Sequence, residues 1–481
     1  MAALALAGCA ANLTAPAPPM DVPATWSEGS AADATQSAAN AGDAAKADIS
    51  QYWKMLGDPV LASLVDEAIA NNLDIAQAAA RLDQARATLS GARASYLPQI
   101  SANGGASKDV GDFAAKSVQY SLGANASWEV DLSGRIGGNV KAARADLAAA
   151  GYSLADVQRL VVGQVALNVI SARATAAQLA IARNTLSNDE ANLQIAKWRN
   201  EAGLVSSLDV EQARSRRAQS AAAIPALESS LAATANAIST LIGEPPGRVL
   251  SLMQDGPATV PVPAAIGDYA APADVLRRRP DVRGAEATLI AQSARVGVAK
   301  AQLLPLLQLS GQVTTGATTI GNLFDVITGG LFATISQLVF DGGKARAQVR
   351  GAEASARGAL AAWHQSILTA LSDVETAATA LRTSRTRVAA NEEALDAANN
   401  AAILARSQYR AGLTDFTALL TAETTLLSAR NALVQARAGR ASAFVQLTQA
   451  LGGGWSTSQY PLPDGAYAPA PTAPANNRTP R

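Results

Sequence analysis

The chain has 481 residues, and its 39 basic and 39 acidic side chains cancel to a net charge of zero at neutral pH. That balance excludes an electrostatic case for a nucleic-acid partner. A single cysteine excludes an internal disulfide, and no run of about 18 apolar residues offers a transmembrane helix. Aromatic residues make up only 4% while Ala and Leu abound, which favours closely packed helices.

In chain order, residues 1–9 read as an apolar leader remnant ending in Leu6-Ala7-Gly8-Cys9. Small residues before a unique cysteine are what lipoprotein processing requires, so Cys9 is the expected lipidation site. No Lys or Arg precedes it, so the positive start of such a leader is missing. Residues 10–51, rich in Ala, Pro, Ser, Gly and Asp, read as an extended linker. Order is expected from Tyr52-Trp53. Asp58-Pro59 is a helix start, and a second helix covers about 73–96 until Leu97-Pro98 ends it.

A first strand follows at about 99–107 and pairs as a hairpin with residues 118–131. In that second stretch Val118, Tyr120, Leu122, Ala124, Ala126, Trp128 and Val130 alternate with Gln119, Ser121, Gly123, Asn125, Ser127, Glu129 and Asp131. One face is therefore apolar and the other polar. The length suffices to cross a bilayer, which takes roughly 9–11 residues in a tilted strand. The apolar side suits lipid and the polar side a wet lumen.

Helix signals then run to Ala202. At 1.5 Å per residue this is a rod of roughly 100 Å. Leu160, Leu167, Ala174 and Ile181 recur every seven residues, as do Leu179, Leu186 and Leu193 on another part of the surface. Heptad spacing indicates coiled-coil seams, and two of them imply neighbours on two sides. Ala202-Gly203-Leu204 reads as a hairpin tip. The returning helix spans about 207–242, interrupted at Pro225, where a kink is expected.

The pattern then repeats. Leu304-Pro305 echoes Leu97-Pro98, Phe340-Asp341-Gly342-Gly343-Lys344 echoes Asp131-Leu132-Ser133-Gly134-Arg135, and Arg410-Ala411-Gly412-Leu413 echoes Glu201-Ala202-Gly203-Leu204. The offsets are about 207–209 residues, so one unit is used twice. Repeat 1 covers 52–247, with a β-hairpin at about 99–131 and a helical hairpin at about 136–242. A connector spans 248–271. Repeat 2 covers 272–452, with a β-hairpin at about 307–340 and a helical hairpin at about 343–451. Leu307, Leu309, Gly311, Val313 and Thr315 supply one strand, and position in the repeat puts the other at about 331–340. Leu360, Ile367, Val374, Leu381, Val388, Leu395, Ala402 and Tyr409 form a cleaner heptad stripe, matched by Leu419, Leu426, Leu433 and Leu447 on the returning helix. The Pro- and Ala-rich tail, 453–481, reads as mobile.

Four strands per chain cannot close a barrel with an interior, and an open edge cannot sit in lipid. The sequence thus predicts an α+β membrane protein. It is a homo-oligomer whose shared outer-membrane β-barrel continues into a long helical coiled-coil barrel.

Tyr52-Trp53, Asp58-Pro59-Val60-Leu61, Ile224-Pro225-Ala226-Leu227-Glu228, the run Leu276-Arg277-Arg278-Arg279-Pro280-Asp281-Val282-Arg283 and Leu338-Val339-Phe340-Asp341-Gly342-Gly343 occur in order. Together they resemble the TolC-like outer-membrane factors, in particular the NodT-type lipoprotein branch of resistance-nodulation-division efflux systems. The resemblance implies a homotrimer with twelve strands in the outer membrane. It implies a tube across the periplasm of a Gram-negative cell, a periplasmic adaptor protein at the helix tips, and an inner-membrane pump behind it. Small molecules such as drugs or toxic compounds would pass without chemistry. It also implies a lipid anchor on Cys9.

Carried over residue by residue, Tyr409 would hydrogen-bond Asp209 and hold the periplasmic entrance closed. Thr414, Asp415, Ala418 and Thr421 would lie at that gate. Ala202, Gly203, Leu204, Ala411, Gly412 and Leu413 would be the adaptor contacts. Where family members place a ring of aspartates this chain has Ala418 and Thr421, with Asp415 and Glu423 nearby. A duct for type I protein secretion would share the fold, and a soluble coiled-coil scaffold would share the helices.

Other motifs are weaker. Gly342-Gly343-Lys344 lacks the upstream spacing of a phosphate loop and reads as a strand-to-helix turn. The run from Arg277 to Arg279 reads as a solvated or ion-paired helix end. His364 stands alone and reads as a helix-surface residue, and no Ser/His/Asp or Cys/His set can be built. No enzyme, metal or cofactor is predicted.

Overall fold

The computed structural model describes residues 23, 26, 49–111, 117–263 and 272–455. Cys9, most of the 10–51 linker and the tail beyond 455 lie outside the described residues. Trp26, inside the expected linker, is nevertheless packed into the main apolar core.

Each repeat contains short helices, a β-hairpin and a long helical hairpin. A 3-10 turn, Ile49–Leu56, leads into α1 (Pro59–Asn71) and α2 (Leu73–Ala94). Strands β1 (Gln99–Ser107) and β2 (Gln119–Val130) precede α3 (Arg135–Glu201) and α4 (Ser207–Leu241). After α5 (Arg248–Asp255), the second repeat gives α6 (Pro272–Arg278), α7 (Pro280–Ala301), β3 (Leu306–Ala317), β4 (Ile327–Ser336), α8 (Lys344–Arg410) and α9 (Phe416–Ala450). Helices α3 and α8 each have 67 residues, a length of about 100 Å. Helices α4 and α9 each have 35.

The same chemistry starts both long helices. Asp131 accepts hydrogen bonds from Ile136 and Gly137 N–H at 3.0 and 2.7 Å, and Asp341 accepts from Gly343 and Ala345 at 2.9 and 2.6 Å. A carboxylate at a helix N-terminus satisfies free N–H groups and meets the positive end of the dipole. Backbone N–H donors accordingly hold the Asp341 carboxyl below its ordinary value. Gly342-Gly343-Lys344 is thus the strand-to-helix turn.

A tie within each repeat is also duplicated. Asn72 donates to the Leu241 carbonyl at the end of α4 (2.8 Å), and Arg279 donates to the Ala450 carbonyl at the end of α9 (3.3 Å). Both tie a returning helix to the junction of two short helices, and both satisfy carbonyls that lack an intrahelical partner. Beside them Gly243 and Gly452 hold φ of 73° and 82°. A Cβ on Gly243 would lie 2.7 Å from the Asn71 carbonyl oxygen, so the site demands glycine for both conformation and space.

The main core gathers Tyr52, Trp53, Leu56, Leu61, Leu64 and Val65 against α3, α5 and α9. Arg173 of α3 is fully buried within it and pairs with Asp58 at 3.0 Å. Asp58 also caps α1 through Val60 and Leu61 N–H. Removing one member of such a pair leaves an uncompensated charge and costs about 3–5 kcal/mol. One stretch of α3 is apolar enough to cross a bilayer by composition, but 56% of it is buried in this core.

Two expectations need correction, and a third concerns a face that the chain's own core leaves open. The fourth strand is Ile327–Ser336 rather than 331–340, because β3 pairs with it from Thr315↔Ile327 to Leu306↔Ser336. Leu338, Val339 and Phe340 follow the strand and are exposed. Helix α4 continues through Pro225, since losing one N–H donor does not stop a helix held by its neighbours. In α3 the stripe of Leu160, Leu167, Ala174 and Ile181 is exposed or half-buried, and Val161, Val162, Val165, Val169 and Ile170 are buried instead. Helix α3 packs against α1, α2, α4, α5, α7 and α9, so its core positions spread around the helix. The α8 stripe has Ile367, Val374, Leu381, Val388, Ala402 and Tyr409 buried, as do Leu419, Leu426, Leu433 and Leu447 of α9.

Candidate functional site: the strand faces and the helical tip

The sheet runs β1-β2-β3-β4, antiparallel throughout. Paired residues in such a sheet share a face, so the register sorts every side chain. Ser101, Asn103, Ser121, Asn125, Ser127, Glu129, Gln308, Ser310, Gln312, Thr314, Thr328 and Thr334 fall on one face. Asn125 donates to Asn103 across it at 2.9 Å. Ile100, Leu122, Ala124, Trp128, Leu307, Leu309, Val313, Ile327, Leu331 and Ile335 fall on the other. The described residues leave that apolar face uncovered: Leu331 is 92% exposed and Ile335 72%. Tyr120 and Trp128 lie on it eight residues apart, about 26 Å along a strand, close to the spacing of aromatic girdles around a membrane band of about 25 Å. The Trp128 indole donates to the Tyr96 carbonyl at 2.9 Å. Among the described residues, edges β1 and β4 have no further strand partner. A soluble scaffold has no use for this arrangement.

At the opposite end, both long helices finish in the same cap. Gly203 N–H donates to Asn200 O and Leu204 N–H to Arg199 O, and Gly412 and Leu413 do the same to Tyr409 and Gln408. Glycine supplies the left-handed residue of this Schellman turn, with φ of 70° and 74°. Ala202, Gly203, Leu204, Ala411, Gly412 and Leu413 are all exposed.

Just behind the turns the two hairpins pack on each other. Tyr409 and Phe416 meet edge to face, 5.7 Å between ring centroids, among Ala196, Ala213 and Leu419. Among the described residues the buried Tyr409 hydroxyl has no hydrogen-bond partner, Asp209 included. Arg199 takes that role: its guanidinium lies 4.6 Å over the Tyr409 ring, and Nη1 donates to the Tyr409 carbonyl at 2.6 Å. Burial pushes the Tyr409 phenol up, Arg199 opposes this, and the Asp209 charge adds to the rise. The phenol therefore stays neutral and Asp209 acts only through its field.

One layer further from the tip lies a buried polar cluster that the sequence did not point to. Ser220 donates to Asp189 at 2.5 Å, Arg216 stands 3.6 Å from the same carboxylate, and Arg406 pairs with Glu423. Burial raises the Asp189 carboxyl above its ordinary 3.8, opposed by Ser220 and Arg216 and assisted by Glu423. Arg199 was detectable only as a basic residue in the last turn of a helix. The Asp189 cluster had no periodic signal at all.

The remaining predicted gate residues lie together at the start of α9. Asp415 caps α9 by accepting from Ala418 N–H at 2.8 Å, and the Thr421 hydroxyl donates to Thr417 O at 2.8 Å. Thr414 is half-buried, while Ala418 and Thr421 are exposed, on a small, uncharged face of α9. The two nearby carboxylates, Asp415 and Glu423, are thus already engaged. Among the described residues no cluster of His, Cys, Asp or Glu could hold a metal ion. His364 is half-buried beside Trp363, ring centroids 5.4 Å apart, rather than free on the surface. Arg279 is buried and bound to Asp281 and Asp373, whereas Arg277 pairs with Asp274 in the open.

The chain is 30% identical over 363 residues to Nodulation protein T of Rhizobium leguminosarum bv. trifolii, covering 73% of this chain and 74% of that protein. It is 32% identical to the pyoverdine export outer membrane protein OpmQ of Pseudomonas aeruginosa, covering 68% of this chain and 71% of the relative. Among solved structures, the outer-membrane channel OprN superposes with a TM-score of 0.77 at 32% identity, over 84% of this chain and 93% of that one. CusC superposes with a TM-score of 0.75 at 25% identity, over 82% and 93%. Residues 64–244 and 271–453 match the family described as outer membrane efflux protein, and with the sheet faces and paired long helices the chain belongs to that family, a channel of the outer membrane that extends into the periplasm.

Proposed function

We propose that this chain is the outer-membrane duct of a tripartite resistance-nodulation-division efflux pump, passing small drugs or toxic compounds without chemical change. The observation that carries this reading is the single polar face across four strands, set against an uncovered apolar face and two open edges. Three copies would pair β1 of one with β4 of the next, giving twelve strands with no edge in lipid. The polar face would line the pore, and the half-exposed α3 stripe would meet a neighbouring copy. The exposed tips from Ala202 to Leu204 and from Ala411 to Leu413 would receive a periplasmic adaptor. Arg199 on Tyr409 would hold the entrance closed, in place of a Tyr409–Asp209 bond. Adaptor binding would open it by favouring the parted tips. Cys9 would carry the lipid anchor. The relatives named for export of pyoverdine, for toluene efflux and for cation efflux support an efflux role over protein secretion.

Thiol labelling in outer-membrane vesicles tests this directly. Cysteine at Gln119 or Asn125 should react with a membrane-impermeant maleimide, cysteine at Leu122 or Ala124 should not, and crosslinking should yield a trimer. Equal labelling of both sets would overturn the pore assignment.

A further inference from the structure

One large aromatic side chain interrupts the polar face. Phe332 pairs with Ser310, so it shares the face of Ser127, Gln312 and Thr334 rather than that of Leu331 and Ile335. A one-residue slip would turn Leu331 and Ile335 inward instead, so the register fixes the ring where it is. Phe332 is 53% exposed. It lies over Gly330, where an added Cβ would stand 2.9 Å from the ring Cζ. Gly330 thus leaves room for the ring to rest against the strand. Closing the barrel would place β1 of a second copy beside β4. The residues of β1 on this face, including Ser101, Asn103 and Gly105, are polar or small. Assembly therefore brings no apolar cover to the ring.

We propose that Phe332 is a wall contact inside the pore for solutes carrying a flat aromatic surface, above all cationic ones. This rests on reading the polar face as the lumen. A phenyl face attracts both aromatic edges and cations. The hydroxyls of Ser310 and Thr334 beside it can bind the polar rim of the same solute. The contact slows such a solute on the wall without blocking a pore twelve strands around.

The test uses the assembled protein in a planar bilayer with ethidium as the probe, its conductance without ethidium serving as the check on assembly. Ethidium-induced interruptions of the current should shorten about three- to tenfold in Phe332→Ser, the range one aromatic contact supports. They should persist in Phe332→Tyr. Unchanged interruptions in Phe332→Ser would refute the contact. Maleimide labelling separates the two layers of the argument. If Asn125→Cys reacts and Phe332→Cys does not, this proposal fails and the pore reading stands. If neither reacts, the pore reading itself fails.

Discussion

At the residue scale, the tip depends on Arg199 more than on the tyrosine hydroxyl. Arg199→Ala removes a charged hydrogen bond and a cation over a ring, together about 2–4 kcal/mol. Tyr409→Phe removes only an unbonded hydroxyl. Single-channel recording should therefore show Arg199→Ala raising the open fraction about tenfold or more, with Tyr409→Phe close to the parent. Asp189 gives a pH signature. An acid whose folded pKa is raised binds its proton more tightly when folded. Stability then grows as pH falls through the raised value and levels off below the unfolded value near 3.8. Asp281 runs the other way. Burial would raise it, but Arg279 holds it below 3.8, so its contribution is present above 3.8 and lost as pH falls through its folded value. The stability change caused by Asp189→Asn should thus be more favourable at pH 7 than at pH 4, measured by the midpoint of denaturant unfolding.

At the element scale, the two faces of β4 should respond oppositely to charge. Leu331→Arg puts a cation on the apolar face and should cost about 2–4 kcal/mol per chain at mid-membrane. Thr328→Arg, on the polar face, should be tolerated; heat resistance of the assembled band on a gel distinguishes them. Strand β2 was readable from sequence because its alternation never breaks. The repeat places strand β4 four residues too late, because Gly329 and Gly330 dilute the alternation and Phe332 contradicts it. The α8 heptads were readable because that helix buries one dominant stripe. In helix α3 no single stripe carries the chain's own core, because six helices pack around it. No sequence pattern marks the paired ties of Asn72 and Arg279, since unlike residues perform the same task. Arg199 on Tyr409 joins positions 210 residues apart, which no local pattern can reveal.

At the scale of the whole molecule, the duplicated plan explains why one chain contributes two of each part. Two aspartate caps start the long helices, two Schellman turns end them, and two side-chain ties return the chain to its middle. Departures from this duplication mark where the copies do different work. Phe416 and Tyr409 belong to repeat 2 alone, and Arg199 reaches them from repeat 1.

The unpaired edges of β1 and β4 also bear on inheritance. In a three-copy ring every subunit supplies one side of two seams, so a copy with a spoiled edge damages its neighbours as well as itself. Proline at Ala333 would spoil such an edge. Co-expressed in equal amount with the intact chain and mixing at random, it should leave only about one ring in eight wholly sound. Export measured in such cells should fall well below the half expected for a protein that works alone, making a mild folding lesion genetically dominant.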